Sequence, residues 1–188
     1  MTRLTRALAL AGAFVASGPA LGEAVDICFN YGCRDVASIR FDSDVLGEVG
    51  RLFDGVASPA AERAAVAQAL GAFSLQAALQ SPTWRDRGGN LDDDEVDGRM
   101  DCIDHSRNTS AYLALLERKG WLRFHAVGDR VQRGWIFTVH WGAQLSEPDG
   151  ARWVVDTWFH DPGADAVIYP LERWLAGARP PGTGPLRF

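Results

Sequence analysis

The stretch that most constrains this chain is a segment of helical periodicity that begins after Asp101 and ends near Lys119-Gly120. Its apolar residues recur at helical spacing: Ile103, Tyr112, Leu115 and Leu116. Asp is a preferred N-cap residue, so Asp101 places Cys102 in the first turn. Unpaired N–H groups and the positive end of the helix dipole favour a thiolate there. The segment therefore predicts a helix with a reactive thiol at its N-terminus.

Two later segments are rich in β-branched and aromatic residues and are predicted to be strands. The strand at 135–145 contains His140, and the strand at 151–158 contains Asp156. Another strand is predicted at 122–127, with a turn at 128–130. A helix packed on an antiparallel sheet of this kind is an α+β fold.

The remaining elements follow from caps and spacing. A short strand is predicted at 36–41, and Ser43 or Asp44 is predicted to cap a helix that runs to Phe53. Ser58-Pro59 begins a longer Ala-rich helix that ends at Ser81-Pro82, and residues 84–99 are predicted to be a loop. The tail at 170–176 is predicted to be a short helix that presents three apolar residues, namely Leu171, Trp174 and Leu175.

A helix-borne Cys102, a strand-borne His140 and a strand-borne Asp156 form a set of nucleophile, base and orienting acid. In a hairpin, the facing His and Asp lie within hydrogen-bond reach, and the helix end has to bring the thiol to the imidazole. Asp156 lies in an apolar strand, where a carboxylate needs a partner.

This arrangement resembles the transglutaminase-like branch of the papain-like superfamily, which includes bacterial cysteine peptidases and arylamine acetyltransferases. The matching features are the Asp-Cys-x-Asp pattern around Cys102, the strand with His140 and the Trp-x-x-Asp strand, all within residues 99–159. The resemblance implies a transglutaminase-like core in which Cys102 is the nucleophile, His140 the general base and Asp156 the orienting acid. It also implies acyl transfer through a thioester, with a peptide or protein as the substrate, and hydrolysis is favoured over transamidation.

The N-terminus has the pattern of a secretory signal, predicted at residues 1–22: Arg3 and Arg6, then a short apolar run, then small residues at the cleavage position. Residues 23–188 are predicted to be one domain that is exported to the periplasm or secreted, and no later apolar run is long enough to span a membrane. The formal charge of the whole chain is −5, and Lys119 is its only lysine. An acidic chain without a basic cluster argues against a nucleic-acid partner. The oligomeric state is not predicted.

The chain has three cysteines, an odd number for an exported protein. Cys28 and Cys33 flank a turn that contains Asn30 and Gly32, and they are predicted to form a disulfide. Cys102 is then the free thiol. The alternatives are that Cys102 is a buried inert thiol or is disulfide-bonded to one of the other two.

The loop that leads to Cys102 is acidic and fits the spacing of a calcium-binding loop. Its candidate ligands are Asp93, Glu95, Asp97, Asp101 and Asp104, with Gly98 at the sharp turn. Residue types fit less well, because a long Glu takes the third position and a short Asp the twelfth. No cofactor is required by the predicted chemistry, and Ca²⁺ is the one candidate. The alternative is a solvated acidic loop in which Asp101 only caps the helix.

Two further alternatives remain open. Cys102 and His105 form a Cys-x-x-His pair that His140, His160 or Asp156 would complete as a zinc site. The chain would otherwise be a binding or assembly module that keeps the fold without turnover. For the oxyanion, the N–H of Cys102 is the expected donor, and the side-chain candidates are Trp84, Asn90 and Arg99.

Overall fold

A computed structural model describes residues 22–134 and 139–183 of the chain. The elements in chain order are β1 (Glu23–Phe29), β2 (Asp35–Phe41), α1 (Ser43–Arg51), α2 (Pro59–Gln80), a 3-10 turn (Pro82–Arg85), α3 (Cys102–Arg118), β3 (Ala126–Arg133), β4 (His140–Ser146), β5 (Arg152–Asp156), β6 (Val167–Pro170) and α4 (Leu171–Leu175). Strands β1 and β2 form an antiparallel pair, and the other four form an antiparallel sheet in the order β3-β4-β5-β6. The predicted α+β class is confirmed. The first 21 residues of the predicted signal and the first part of the predicted strand at 135–145 lie outside the described residues.

Helix α3 begins where the sequence predicts. The Asp101 side chain accepts hydrogen bonds from the Ile103 and Asp104 N–H groups at 3.0 and 2.9 Å. Asp104 Oδ2 accepts in return from the Asp101 N–H at 3.3 Å, which completes a capping box. Cys102 is therefore the first residue of the helix, as predicted.

The two upstream helices also follow their sequence signals. Ser58 caps α2 through a hydrogen bond from the Ala61 N–H, with Pro59 at the first helical position. Helix α1, however, is capped by Asp42 and not by Ser43 or Asp44. The Asp42 side chain accepts from the Asp44 and Val45 N–H groups, so the helix starts one residue earlier than predicted.

The first strand of the larger sheet lies further along the chain than predicted. It runs from Ala126 to Arg133, and the predicted turn at 128–130 is a register shift inside it. The N–H groups of Arg123, Phe124 and His125 instead donate to the buried carboxylate of Glu62 in α2, at 2.7 to 3.1 Å. Those three residues are therefore held by a helix and cannot pair in the sheet.

The core joins α2 and α3 to both sheets. The rings of Phe41, Phe73 and Tyr112, from β2, α2 and α3, pack with centroids 4.6 to 6.1 Å apart. Leu113 and Leu116 are completely buried, and each contributes roughly 2 kcal/mol to the stability. Because α3 packs along its length against β1 and β4, the position of its first residue is fixed relative to the sheet.

None of the helices within residues 22–134 and 139–183 is both long enough and apolar enough to cross a membrane.

Candidate active site

His140 and Asp156 lie at adjacent ends of β4 and β5, on one face of the sheet. The register pairs Ala143 with Val155, so Asp156 lies opposite Gly142 and diagonal to His140. His140 Nε2 is 2.7 Å from Asp156 Oδ2, and only 0% and 2% of the two residues are exposed. The structure therefore brings these two predicted site residues together, as a diagonal pair rather than a facing one.

Asp156 accepts two more hydrogen bonds. The indole Nε1 of Trp174 donates to Oδ2 at 2.9 Å, and the Trp158 N–H donates to Oδ1 at 3.2 Å. Burial alone would raise the pKa of Asp156, but the hydrogen bonds and charge of His140 and the donation from Trp174 bring it below its ordinary value. The carboxylate is therefore ionised at neutral pH, and it holds the His140 ring in one orientation.

Trp174 was predicted as an apolar residue of the last helix, and the structure adds a polar role for it. Arg133 Nη1 donates to the Trp174 carbonyl oxygen at 2.6 Å, and its guanidinium carbon lies 4.4 Å from the centroid of the indole ring. The lack of a side chain at Gly142 makes room for the Trp174 ring. A Cβ at this position would lie 2.4 Å from Val154 Cγ1 and 3.3 Å from Trp174 Cζ2. The signal for this role is general: a buried indole N–H needs an acceptor.

The second nitrogen of His140 has no hydrogen-bond partner within the described part of the chain. Nδ1 is buried, and the ring is packed by Trp158, Phe159 and Trp174 at centroid distances of 5.1 to 5.7 Å. When Nε2 carries the proton that it shares with Asp156, Nδ1 is an acceptor. A buried acceptor without a donor is costly, so this atom is the natural destination for a proton from a neighbouring group.

Cys102 lies beside the start of β4. Its Sγ is 3.7 Å from the carbonyl oxygen of Val139, the residue directly before His140. The thiol is free and half-buried. The helix N-terminus and the strand that carries His140 therefore meet at the sulfur.

The predicted thiolate preference of Cys102 is wrong in direction. Burial, with smaller contributions from the Asp101 and Asp156 carboxylates, raises the pKa of the Cys102 thiol to about 11. Desolvation disfavours the charged form, and here it outweighs the helix N-terminus. The thiol is therefore protonated at neutral pH, and its use as a nucleophile requires a base.

The sulfur opens onto a cleft of about 270 Å³. Its apolar walls are Leu91, Ile103, Val139, Trp141 and Trp158. The polar residues at its edge include Tyr31, Asn90 and Asp101. The cleft gives the sulfur access to solvent.

The predicted disulfide between Cys28 and Cys33 is confirmed. It closes a turn in which four successive residues, Asn30 to Cys33, have positive φ angles of 58° to 70°. The turn donates the Gly32 N–H to Asp101 Oδ2 at 3.0 Å and the Cys33 N–H to Asp104 Oδ1 at 2.5 Å. The disulfide loop thus holds both carboxylates of the capping box that starts α3.

Asp104→Asn is expected to change the pH dependence of thermal stability. Burial, and then the Asp101 carboxylate, raise the pKa of Asp104 from 3.8 to about 6. The folded protein binds this proton more tightly than the unfolded chain, so the Asp104 contribution to stability is greatest at low pH and is lost as pH rises through about 6. An amide does not titrate. The melting temperature of the variant relative to wild type should therefore rise between about pH 4 and about pH 6.

Thermal denaturation across that range measures this difference. Asp94→Asn is the matched control, because Asp94 is exposed in the preceding loop. A difference between Asp104→Asn and wild type that stays constant with pH would contradict a raised Asp104 pKa.

The five acidic residues of the calcium-loop prediction have mostly protein partners. Asp93 accepts from Tyr31 Oη and Asn90 Nδ2, both at 2.7 Å, and pairs with Arg99 Nε at 2.8 Å. Asp97 accepts from Asn30 Nδ2 at 3.1 Å.

Glu95 is exposed, and Asp101 and Asp104 form the capping box. Within residues 22–134 and 139–183, no three of these five carboxylates come within 4.8 Å of one another. Calcium binding stays a prediction.

The structure does not support His105 as the second ligand of a zinc site. His105 Nε2 is 3.0 Å from Asp86 Oδ2, and its Nδ1 is 3.0 Å from Thr157 Oγ1, so both ring nitrogens have partners other than Cys102. Cys28, Cys33 and Asp104 are the one group of metal-ligating side chains that converges in the described residues. Its two sulfurs are joined in the disulfide, so it is not a thiolate site.

Asp86 is a site-supporting residue that the sequence did not reveal. It is completely buried, and it accepts from the Met100 N–H at 2.9 Å as well as pairing with His105. Thr157, the partner of His105, directly follows Asp156. This chain of contacts links the loop before Cys102 to the end of β5. Nothing in the local sequence of Asp86 distinguishes it from the other aspartates of the loop.

The candidate donors to the oxyanion differ in their exposure and in their partners. Trp84 is 57% exposed, and Arg99 pairs with Asp93. Asn90 lines the cleft, but its Nδ2 donates to Asp93 Oδ1. The N–H of Cys102 belongs to the first turn of the helix, where no intrahelical acceptor exists, so it stays a candidate oxyanion donor.

Comparison with protein-family models, with curated proteins and with solved structures found no match to this chain.

Proposed function

We propose that this protein is a thiol enzyme that performs acyl transfer with Cys102, His140 and Asp156. The observation that carries the proposal is the buried His140–Asp156 pair, whose Nε2 and Oδ2 atoms are 2.7 Å apart. His140 Nδ1 has no partner among the described residues, and His140 directly follows Val139, whose carbonyl oxygen contacts the Cys102 sulfur. A buried imidazole held on one nitrogen by a carboxylate and unpartnered on the other is suited to accept a proton. The raised pKa of the Cys102 thiol makes such a base necessary.

In the first step, the Cys102 sulfur attacks the substrate carbonyl carbon while its proton passes to His140 Nδ1. The carbonyl π electrons move to oxygen, and the Cys102 N–H stabilises the resulting oxyanion. Asp156 stabilises the imidazolium across the 2.7 Å contact. The tetrahedral intermediate then collapses, His140 returns its proton to the departing amine, and a thioester to Cys102 remains.

In the second step, water attacks the thioester carbon and gives a proton to His140. The carbon–sulfur bond breaks, the acid product leaves, and the sulfur recovers its proton. If an amine replaces water, the same sequence is transamidation. Hydrolysis is the proposed reaction, and a peptide or protein amide is the proposed substrate, because the apolar cleft beside the sulfur suits the side chain of a peptide residue.

This chemistry is that of the transglutaminase-like branch of the papain-like superfamily, and we propose that the chain has its core. The helix-borne Cys102 packed against an antiparallel sheet that carries His140 and Asp156 supports the proposal. The Cys28–Cys33 disulfide supports a location outside the cytoplasm, in the periplasm or secreted, because disulfides persist in oxidising compartments.

A binding or assembly module without turnover is the second candidate. The observation that favours it is the raised pKa of Cys102, to about 11, since a protonated thiol is a weak nucleophile. Such a module would use the same apolar cleft to hold a peptide and would leave Cys102 unmodified.

The test is incubation of the full chain with a mixed-sequence peptide library, with acid quenching and mass spectrometry. The enzyme should cleave peptides and show an acyl adduct on Cys102, and Cys102→Ala should do neither while melting as the wild type does. Peptides that bind but are never cleaved, with Cys102 unmodified, would overturn the enzyme and favour the binding module.

A further inference from the structure

The cleft beside Cys102 has a size and lining that suit one apolar side chain. Its volume of about 270 Å³ is just below the range of roughly 300–1,000 Å³ that is common for sites that enclose a whole small molecule. Two of its walls are the indole rings of Trp141 and Trp158, and a third is Ile103, directly after Cys102. A group bonded to the sulfur therefore lies within the cleft, so the acyl part of the substrate fills it.

Arg130 packs beside Trp141, one of the walls of this cleft. Its guanidinium carbon is 5.0 Å from the centroid of the Trp141 ring, and Nη1 donates to Ser106 Oγ, one turn after Cys102, at 3.1 Å. Within the described part of the chain Arg130 makes no ion pair. Burial, and then the neighbouring charge of Arg107, lower the pKa of Arg130.

Asp101, a carboxylate that lines the cleft, already has hydrogen-bond donors within the protein. Asp101 accepts from the N–H groups of Gly32, Ile103 and Asp104. The cleft thus has one engaged carboxylate, and the Arg130 guanidinium beside its Trp141 wall still offers donors. A guanidinium at a site edge matches the geometry of a carboxylate.

We propose that the site selects an acyl donor with a large apolar side chain in the cleft and a carboxylate on the adjoining residue, bound by Arg130. The substrate class is a peptide with an acidic–apolar pair on the acyl side of the reacting bond. This inference rests on the proposed function, and it adds the substrate preference.

Peptidyl acyloxymethyl ketones test the preference, because they label a thiol from the acyl side. The Cys102 sulfur attacks the methylene carbon, the carbon–oxygen bond to the carboxylate leaving group breaks, and the thiol proton passes through His140 to solvent. Three probes differ in one residue, with Glu-Leu, Gln-Leu or Lys-Leu next to the ketone, and a fourth carries Glu-Gly.

The Glu-Leu probe should label Cys102 about five-fold faster than Gln-Leu, the size expected for a partly solvated ion pair, and Lys-Leu should be slowest. Glu-Gly should be slower than Glu-Leu by roughly 10- to 100-fold, because it leaves the apolar walls empty. Labelling rates are measured by intact mass spectrometry.

Arg130→Gln should reduce the ratio of the Glu-Leu rate to the Gln-Leu rate from about five to about one. Arg130→Lys should restore part of it, and Arg118→Gln, an exposed arginine at the end of α3, should keep it fully. Equal rates for Glu-Leu and Gln-Leu in the wild type would overturn the inference and leave the proposed function in place. Failure of every probe, together with no reaction of Cys102 with iodoacetamide, would overturn both.

Discussion

His140→Ala will lower the rate constant for alkylation of Cys102 at neutral pH by about 100-fold or more, the range that a positioned base supplies. Burial raises the pKa of the thiol to about 11, so without a base only about one molecule in 10⁴ carries a thiolate at pH 7. With His140 present, its unpartnered Nδ1 accepts the proton as the sulfur attacks. The rate is measured with excess iodoacetamide, and the adduct is located by mass spectrometry.

The pH profile separates a lost base from a damaged fold. In His140→Ala the rate should rise about tenfold per pH unit towards the thiol pKa of about 11, whereas the wild type should react at much lower pH. His140→Gln fills more of the space among the surrounding rings and should show the same profile if it melts near wild type. His160→Ala is the matched control, because His160 is partly exposed and outside the pair with Asp156. A folded His140→Gln protein that reacts as fast as wild type would exclude His140 as the base.

The parts of the site that local sequence predicts are those fixed by neighbours in the chain. Asp101 caps α3 because its side chain reaches N–H groups two and three residues away. The predicted strand segments at 135–145 and 151–158 are rich in β-branched and aromatic residues, and the disulfide spans only five positions. The start of α3, the strand segments that carry His140 and Asp156, and the free thiol were therefore predictable.

The parts that sequence did not predict depend on contacts between distant residues. The start of β3 is set by Glu62, which lies 61 to 63 positions before the N–H groups that it holds. Asn108 of α3 pairs with both backbone groups of Cys28 in β1, 80 positions away. Local periodicity carries no information about which polar side chain a fold buries against which backbone.

The pKa of Cys102 shows that local sequence is also a poor guide to the chemistry of the site. The helix N-terminus is a local feature, and it predicts a stabilised thiolate. Desolvation depends on what the fold packs over the sulfur, and its effect is larger and opposite; it also exceeds the effect of the hydrogen bond from the Trp141 backbone, which lowers the Cys102 pKa. The direction of a pKa shift at a helix terminus therefore cannot be predicted without the tertiary structure.

Asp86→Ala is expected to lower the free energy of unfolding by about 3–5 kcal/mol, the range for a buried ion pair that loses one partner. The change leaves the buried Met100 N–H and His105 Nε2 without their acceptor. Since His105 also contacts Thr157, beside Asp156, the loss should loosen Cys102 relative to His140 and slow its alkylation as well. Urea denaturation measures the stability, and iodoacetamide measures the thiol.

Asp86→Asn removes the negative charge of the side chain and keeps its shape. Burial alone lowers the pKa of His105, but the Asp86 carboxylate raises it above its ordinary 6.5, so the pair stabilises the fold fully below about pH 6.5 and loses that contribution as pH rises through the folded-state pKa. The stability difference between wild type and Asp86→Asn should therefore shrink as pH rises above about 6.5. Asp92→Ala, exposed in the same loop, should stay within about 0.5 kcal/mol of wild type at every pH. An Asp86→Asn difference that does not vary with pH would mean that His105 is neutral, and the link from Asp86 to Asp156 would then act through hydrogen bonds alone.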